Sequence, residues 1–166
     1  MFKWFFNSNY SFRVQFRPNG VNVFSQAVDE RLSAWVSHRE TLDNADNPLN
    51  ELWEFWKDAP FLPYNRKIDP FCQRDWPTPW EIIVDNKYDD FTKALMMAWT
   101  LKYTKKFQDS KIEIKTLVNN QKKCYYNVVC VDDQWVLNFD DSGPVGAEII
   151  PDSFYLENLI ELGFPR

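Results

Sequence analysis

The spacing of apolar residues changes along the chain from a helical period to a strand period, and this change sets the fold class. Up to about residue 101 apolar residues recur every three or four positions, as Leu49, Leu52 and Trp56 do, which is the spacing of one helix face. From residue 111 onward apolar and polar residues alternate, which is the pattern of half-buried strands. Helices followed by consecutive strands predict an α+β fold, with a helical half packed on a small antiparallel sheet.

Four helices are predicted in the first two thirds of the chain. They are residues 23–40, a helix that starts at Pro48 and stops before Pro60, residues 80–84, and a longer helix that begins after Asp89 or Asp90. Asn47 and Thr78 each precede a proline, and a capping side chain followed by proline is typical of a helix start. Residues 41–46 are predicted to be a polar loop, and the proline-rich residues 58–79 an ordered connection.

The C-terminal third is predicted to consist mainly of strands. The predicted strands are residues 111–118, 124–131 and 134–140, with a short edge strand at residues 148–150. Asp132 and Asp133 lie between two of them and predict a two-residue hairpin turn.

The last predicted element is a helix that begins at Asp152 or Ser153 and stops at Gly163. Its apolar residues follow the spacing of a helix face, so they are predicted to face inward. These residues are Leu156, Leu159 and Ile160.

Residues 2–6 and 10–17 both alternate and predict a hairpin at the N-terminus. A proline, an asparagine and a glycine follow the second strand and indicate a turn. We therefore divide the chain into an N-terminal extension, residues 1–20, and one α+β domain, residues 21–166.

Charge and cysteine content argue against several classes of protein. The chain has 166 residues and a net charge of −5, whereas binding to nucleic acid requires a basic surface. Its three cysteines, Cys72, Cys124 and Cys130, form no CxxC pair, so neither a disulfide framework nor a metal site is predicted, and no cofactor is expected. The sequence shows no signal peptide and no apolar run of about 18 residues, so we expect neither secretion by a signal peptide nor a membrane span.

Residues 75–94 have part of the layout of a cysteine hydrolase. Such an enzyme needs a thiolate and an imidazole within hydrogen-bond reach, and a third group that orients the imidazole. A helix N-terminus lowers the pKa of a thiol, and the imidazole and its partner then come from neighbouring strands. The two relevant stretches are residues 75–83, Asp-Trp-Pro-Thr-Pro-Trp-Glu-Ile-Ile, and residues 88–94, Tyr-Asp-Asp-Phe-Thr-Lys-Ala.

These stretches resemble the bacterial transglutaminase-like cysteine peptidases, and resemble more closely small phage-encoded proteins with a Trp-Pro-x-Pro-Trp-Glu stretch. The bacterial family carries Asp-x-Trp-x-x-Pro-x-Glu, then Gly-Asp-Cys-Glu-Asp-Tyr-Ala at a helix start, then strands with His-Ala-Val and Leu-Asp-Asn. The downstream counterparts here are residues 126–129, Tyr-Asn-Val-Val, and residues 139–141, Phe-Asp-Asp. The resemblance covers residues 67–142 and implies a papain-like or transglutaminase-like fold.

The catalytic groups of that family are missing from this chain. On the resemblance, the nucleophile position falls on Tyr88 or Asp89 and the histidine position near Tyr126, while only Asp140 has a counterpart. A phenol with an ordinary pKa near 10 does not replace a thiolate at neutral pH. The resemblance therefore implies a pseudoenzyme that binds protein partners, and the phage relatives imply a virion structural or accessory component of the neck, tail or baseplate, located in the virion or the host cytoplasm.

Two other functions stay open from the sequence. One is a cysteine hydrolase or transferase with a relocated nucleophile, Cys72 or Cys124, aided by Asp140 and with His38 as the base. The other is an inhibitor that binds a host protein through an acidic surface. The simpler interpretation of His38, the only histidine, is a solvated residue near the end of the first helix. For Cys124 and Cys130 it is a pair of small buried side chains.

Two acidic pairs, Asp89-Asp90 and Asp140-Asp141, have the oxygen ligands that a divalent cation prefers. The first pair also fits a helix cap and the second a loop at a strand end. We favour this second interpretation, and we predict no metal site there.

Aromatic residues make up 17% of the chain and include eight Trp, which is more than one small core needs. Some of them are therefore expected at the surface, where exposed aromatic residues mark protein interfaces. The predicted interface residues are Phe2, Trp4, Phe5, Phe6, Trp76 and Trp80. Trp76 and Trp80 flank prolines, so the alternative for these two is that they clamp the proline-rich connection onto the core.

Overall fold

The computed structural model describes residues 22–139 and 143–163. The predicted N-terminal hairpin, residues 2–6 and 10–17, lies outside the described residues, and so does the boundary at residue 20. In the described residues the helices are α1 (Val28–Asn44), α2 (Pro48–Trp56), α3 (Pro79–Asp85) and α4 (Asp90–Lys102). The strands are β1 (Ile112–Asn119), β2 (Cys124–Val131), β3 (Trp135–Leu137), β4 (Val145–Gly146) and β5 (Tyr155–Glu161).

The five strands form one antiparallel sheet with the order β4-β3-β2-β1-β5. Helix α4 packs against β1 and β2 on one face of this sheet, where the buried strand residues are Ile112, Ile114, Val129 and Val131. The other face carries a smaller buried cluster around Leu117, Val128, Cys130 and Val136. The predicted α+β fold, with a helical half on a small antiparallel sheet, is confirmed.

The predicted starts of three helices are confirmed, and the structure shows how two of them are capped. The Thr78 Oγ1 accepts the Glu81 N–H at 3.3 Å, and the Glu81 carboxylate accepts the Thr78 N–H at 2.7 Å, so the two residues form a capping box before α3. Asp89 caps α4, and Asn47 precedes α2 without a side-chain hydrogen bond. The sequence signals of cap and proline therefore gave these starts to within a residue.

The predicted bounds of the first helix are wrong at both ends. Residues 23–25 form a separate 3-10 turn, and α1 begins at Val28, where the Glu30 carboxylate accepts the Ala27 N–H at 3.1 Å. The helix also continues through residues 41–44, which were predicted as loop. It continues because its buried face is Trp35, His38 and Leu42, at i, i+3 and i+7, and the prediction had placed His38 on the solvated side.

The predicted last helix is wrong, since residues 155–161 form strand β5. The register of β5 on β1 shifts between Thr116 and Leu117, so that Glu157 is an extra residue in a β-bulge. The bulge places Leu156 and Leu159 on the same face of the sheet although they are three positions apart. A spacing of three positions is also that of one helix face, which is why the sequence pattern predicted a helix here.

Smaller corrections concern the hairpin and the sheet edge. The turn at Asp132 and Asp133 is where it was predicted, but Val131 pairs with Trp135, so the loop has three residues. Strand β3 ends at Leu137 because Asn138 adopts a left-handed backbone, with φ of 64°. The predicted edge strand at residues 148–150 is replaced by β4 at Val145–Gly146 and a 3-10 turn at residues 147–149.

We expect Thr78→Ala to lower the free energy of unfolding by about 1 kcal/mol, because it removes the cap of α3. The measurement is urea unfolding followed by circular dichroism. Thr41→Ala is the matched control, since the exposed Thr41 hydroxyl donates only to the Ser37 carbonyl at 3.0 Å within α1. An equal loss of stability in both variants would contradict the capping role.

Candidate functional site

The start of α4 is fixed by its cap. The Asp89 carboxylate accepts hydrogen bonds from the Thr92 N–H at 2.8 Å and from the Thr92 hydroxyl at 2.6 Å. Its second oxygen accepts the N–H of Asn65 at 2.8 Å, which joins the helix start to the proline-rich connection. These bonds hold the first turn of α4 in place, so the position of the next residue, Asp90, is also fixed.

Asp90 joins the helix start to two strands. One oxygen of its carboxylate accepts the backbone N–H of Asn127 in β2 at 2.7 Å and the side-chain amide of Asn127 at 2.9 Å. The other oxygen accepts the amide of Asn138, directly after β3, at 3.0 Å. The same amide of Asn138 donates to the Asn127 carbonyl at 2.8 Å. A helix start and two adjacent strands therefore meet at one hydrogen-bonded cluster, which we call the Asp90 network: Asp90, Asn127 and Asn138.

The two asparagines are held in one orientation. The side-chain oxygen of Asn127 accepts the hydroxyl of Thr116 in β1 at 2.8 Å, which leaves its amide nitrogen for Asp90. The left-handed backbone of Asn138 is a conformation that asparagine adopts more readily than most residues. The Asp90 network is thus built from donors whose direction is set by the sheet.

Burial raises the pKa of Asp90 to about 6, although Asn127, Lys93 and Asn138 oppose the shift. Desolvation penalises the charged carboxylate more than these donors favour it. An amide side chain neither gains nor loses a proton near neutral pH. Asp90 is therefore the one member of the network that titrates there.

Among the described residues, the predicted site positions Tyr88, Asp89 and Tyr126 do not come together. Tyr88 is buried against Phe24 and Trp56, and burial raises its pKa. Asp89 serves as the cap described above, one position before the residue that contacts the sheet. Tyr126 lies on the opposite face of β2 from Asn127, in contact with Phe139 and Phe154.

The predicted positions Tyr88, Asp89 and Tyr126 are therefore each displaced from the cluster by one or two residues. Asp140 lies outside the described residues. The alternation of apolar and polar residues in β2 was visible in the sequence, but it does not indicate which face of the strand packs against α4.

His38 and the cysteines form no catalytic pair in the described part of the chain. The prediction of a solvated His38 is wrong: its ring is buried and stacks on Phe55 with centroids 4.2 Å apart, and burial lowers its pKa to about 4. Its Nε2 has no hydrogen-bond partner among the described residues. The Cys72 thiol donates to the Asp75 carboxylate at 2.9 Å, which raises the pKa of that thiol, and burial raises the pKa of Cys130.

The acidic pair at the start of α4 is engaged in hydrogen bonds, Asp89 as a cap and Asp90 in its network. Its predicted counterpart, Asp140-Asp141, lies outside the described residues. Over residues 22–139 and 143–163, no group of three His, Cys, Asp or Glu side chains is placed to hold a metal ion.

The two tryptophans of the Trp-Pro-x-Pro-Trp-Glu stretch have different environments. Trp76 is half-buried, contacts the rings of Phe91 and Trp99, and donates its Nε1–H to the Asp69 carbonyl at 2.7 Å. It therefore fastens the proline-rich connection to α4. Trp80 is 43% exposed and makes a T-shaped contact with the ring of Trp35, so of these two it remains the surface candidate. The predicted interface residues Phe2, Trp4, Phe5 and Phe6 lie outside the described residues.

A shallow groove of about 400 Å³ runs between the proline-rich connection and α3. Its lining includes Trp76, Glu81, Asp85 and two lysines, of which Lys67 is paired with Asp85 at 2.9 Å. Asp90 and its partners do not line this groove. The charged groups of the groove largely neutralise one another, so it indicates no particular ligand.

No model of a known protein family matches this chain, and no curated protein matches it with significant similarity. Among the helices of the described residues, none has the length and the apolar character required to cross a bilayer.

We expect His38→Phe to become more stable than the unmodified protein as the pH falls. The pKa of His38 is about 4 in the folded state and 6.5 in the unfolded chain, so the folded state binds fewer protons between these values. Stability from this group is complete above pH 6.5 and is lost as the pH falls toward 4, by about 2 kcal/mol at pH 5. Phenylalanine keeps the ring on Phe55 and does not titrate.

The measurement is urea unfolding of both proteins at pH 7.5 and pH 5. His38→Gln is the control. Glutamine cannot titrate, so the stability of this variant should depend on pH as that of His38→Phe does. It loses the ring stack on Phe55, so it should be less stable than His38→Phe at both pH values. Parallel pH profiles for all three proteins would show that His38 is not the group responsible.

Proposed function

We propose that this chain is a non-catalytic protein-binding component on a degenerate transglutaminase-like scaffold. The observation that carries the proposal is the Asp90 network. A helix start meets two neighbouring strands, which is one layout in which a cysteine hydrolase places its catalytic groups, and the side chains at the meeting point are one carboxylate and two amides.

The Asp90 network is poorly suited to hydrolysis. Neither asparagine accepts a proton from a nucleophile or returns one to a leaving group. A carboxylate alone is able to act as a general base toward water, but both oxygens of Asp90 already accept N–H donors from Asn127 and Asn138. These donors partly offset the rise in pKa that burial causes, and they take up lone pairs of the carboxylate that a water molecule would need. The groups present therefore favour holding the helix against the sheet over proton transfer.

Slow reaction of all three cysteines with iodoacetamide at pH 7 is the expected outcome for a non-catalytic chain. Cys72 is the accessible thiol of greatest interest, because Asp75 accepts its proton in a hydrogen bond and disfavours the thiolate. Peptide mapping by mass spectrometry would follow each thiol separately. Rapid labelling of one cysteine in the folded protein would instead support the cysteine hydrolase with a relocated nucleophile.

A thiol placed at the helix start should be activated only by an imidazole on the correct face of β2. We expect Asp90→Cys/Asn127→His to be labelled at position 90 about tenfold faster at pH 6 than Asp90→Cys alone, because a neighbouring imidazolium lowers a thiol pKa. Asp90→Cys/Tyr126→His is the matched control, since Tyr126 lies on the other face. Equal rates in the three variants, each checked for folding by circular dichroism, would show that these positions are not related as nucleophile and base.

As the setting of this function we propose a virion structural or accessory component, supported by the resemblance of residues 76–81 to small phage-encoded proteins. Mass spectrometry of purified particles should find the chain at a fixed stoichiometry. Its absence from the particles, together with recovery of a host protein on the chain from infected-cell lysate, would favour the inhibitor instead.

A further inference from the structure

Strand β5 is the outermost strand of the sheet. Within the described residues it pairs on one side only, with β1, and it is seven residues long, Tyr155–Glu161. The opposite edge strand, β4, has only two residues. An edge of this length presents a row of backbone groups that is able to pair with another extended chain.

The backbone groups that face outward on β5 follow from its register. The Leu162 N–H donates to the Ile112 carbonyl at 2.9 Å, so residue 162 faces β1. Inward and outward residues alternate in an antiparallel strand. Leu159 and Glu161 therefore direct their N–H and C=O groups away from the sheet, and they are the positions at which a sixth strand would form its hydrogen bonds.

Apolar side chains stand beside these backbone groups. Leu156 and Leu159 share one face of the sheet because of the bulge at Glu157, and they are 50% and 44% exposed. Tyr155, at the beginning of the strand, is 43% exposed. A strand laid along β5 would cover these residues, and the burial of their apolar surface would favour its binding.

The negative charge of β5 indicates which kind of chain would pair with this edge. Glu157 and Glu161 are the charged residues of β5. Lys115 lies opposite Leu159 on β1, but its ammonium group is already within 3.0 Å of Glu113 and 3.7 Å of Asp133. A second copy of this chain would bring its own two glutamates and a further net charge of −5 to the same edge. Like charges on paired strands are destabilising and opposite charges are favourable, so a basic partner fits better than self-association.

We propose that β5 binds an extended, basic segment of a protein partner as a sixth strand of the sheet. This inference rests on the proposed protein-binding function and names its site and the chemistry of its partner. Backbone pairing at Leu159 and Glu161 supplies the affinity, and alternation of basic and apolar side chains in the partner supplies the selectivity.

The test uses the full chain and two synthetic peptides. In one, valine alternates with lysine and arginine, Thr-Val-Lys-Val-Arg-Val-Lys-Thr, and in the other glutamate replaces each basic residue. We expect the basic peptide to slow the amide hydrogen exchange of Leu159 and Glu161 at least about tenfold, and the acidic peptide to have no effect. Salt should weaken the binding, because the glutamates contribute to it.

A pair of variants at one position separates backbone pairing from side-chain contact. Leu159→Pro removes an outward N–H that β1 does not use, and proline is tolerated at such an edge position. Leu159→Ala removes the same apolar side chain and keeps the N–H. We expect Leu159→Pro to bind the basic peptide at least about fivefold more weakly than Leu159→Ala, since it loses a main-chain hydrogen bond.

Three outcomes would overturn the inference. They are equal affinity of the two variants, no protection by the basic peptide, and amides of Leu159 and Glu161 that are already protected in the free full chain, which would mean that another segment occupies the edge. Failure here would not touch the proposed function, since the thiol-labelling experiments do not involve β5.

Discussion

Helix α4 is enclosed on every side, and the rest of the structure is arranged around its burial. Its residues from Ala94 to Lys102 are all buried, so polar side chains within it must find partners inside the protein. The Thr100 hydroxyl donates to the Met96 carbonyl at 2.6 Å and accepts the indole N–H of Trp35 at 2.9 Å, which joins α1 to α4. At the far end the Lys102 ammonium group donates to the carbonyls of Gln108 and Ser110.

The first turn of α4 is an electrostatic setting that suits negative charge. The first N–H groups of a helix have no partners within the helix, and its N-terminus favours negative charge. Two consecutive carboxylates stand there: Asp89 satisfies the first turn, and Asp90 accepts donors from the sheet. The same electrostatic setting would activate a thiol. Here position 90 carries a carboxylate and positions 127 and 138 carry amides, and their hydrogen bonds hold this helix start against the sheet.

The sequence predicted the parts of this fold that depend on local spacing and caps, and it failed where contacts between distant residues decide. The starts of α2, α3 and α4 followed from local signals that act within one turn. These are the proline after Asn47, the proline and the cap at Thr78, and the cap at Asp89. Strand β5 was predicted as a helix because its bulge depends on pairing with β1, which local spacing does not reveal. The Asp90 network joins residues 37 and 48 positions apart, and the choice between Asn127 and Tyr126 depends on which face of β2 meets α4.

Asp90, which is half-buried, and His38, which is buried, are two ionisable groups whose effects on stability oppose each other. The pKa of Asp90 is about 6 in the folded state and 3.8 in the unfolded chain, so the folded state binds more protons between these values. The charged carboxylate therefore lowers the free energy of unfolding above pH 6. Protonation of Asp90 at pH 5 raises that free energy by about 1 kcal/mol. At the same pH the lowered pKa of His38 reduces the free energy of unfolding by about 2 kcal/mol. The gain from Asp90 therefore offsets about half of the loss from His38, so the pH profile of the unmodified protein understates the effect of each group until the other is replaced.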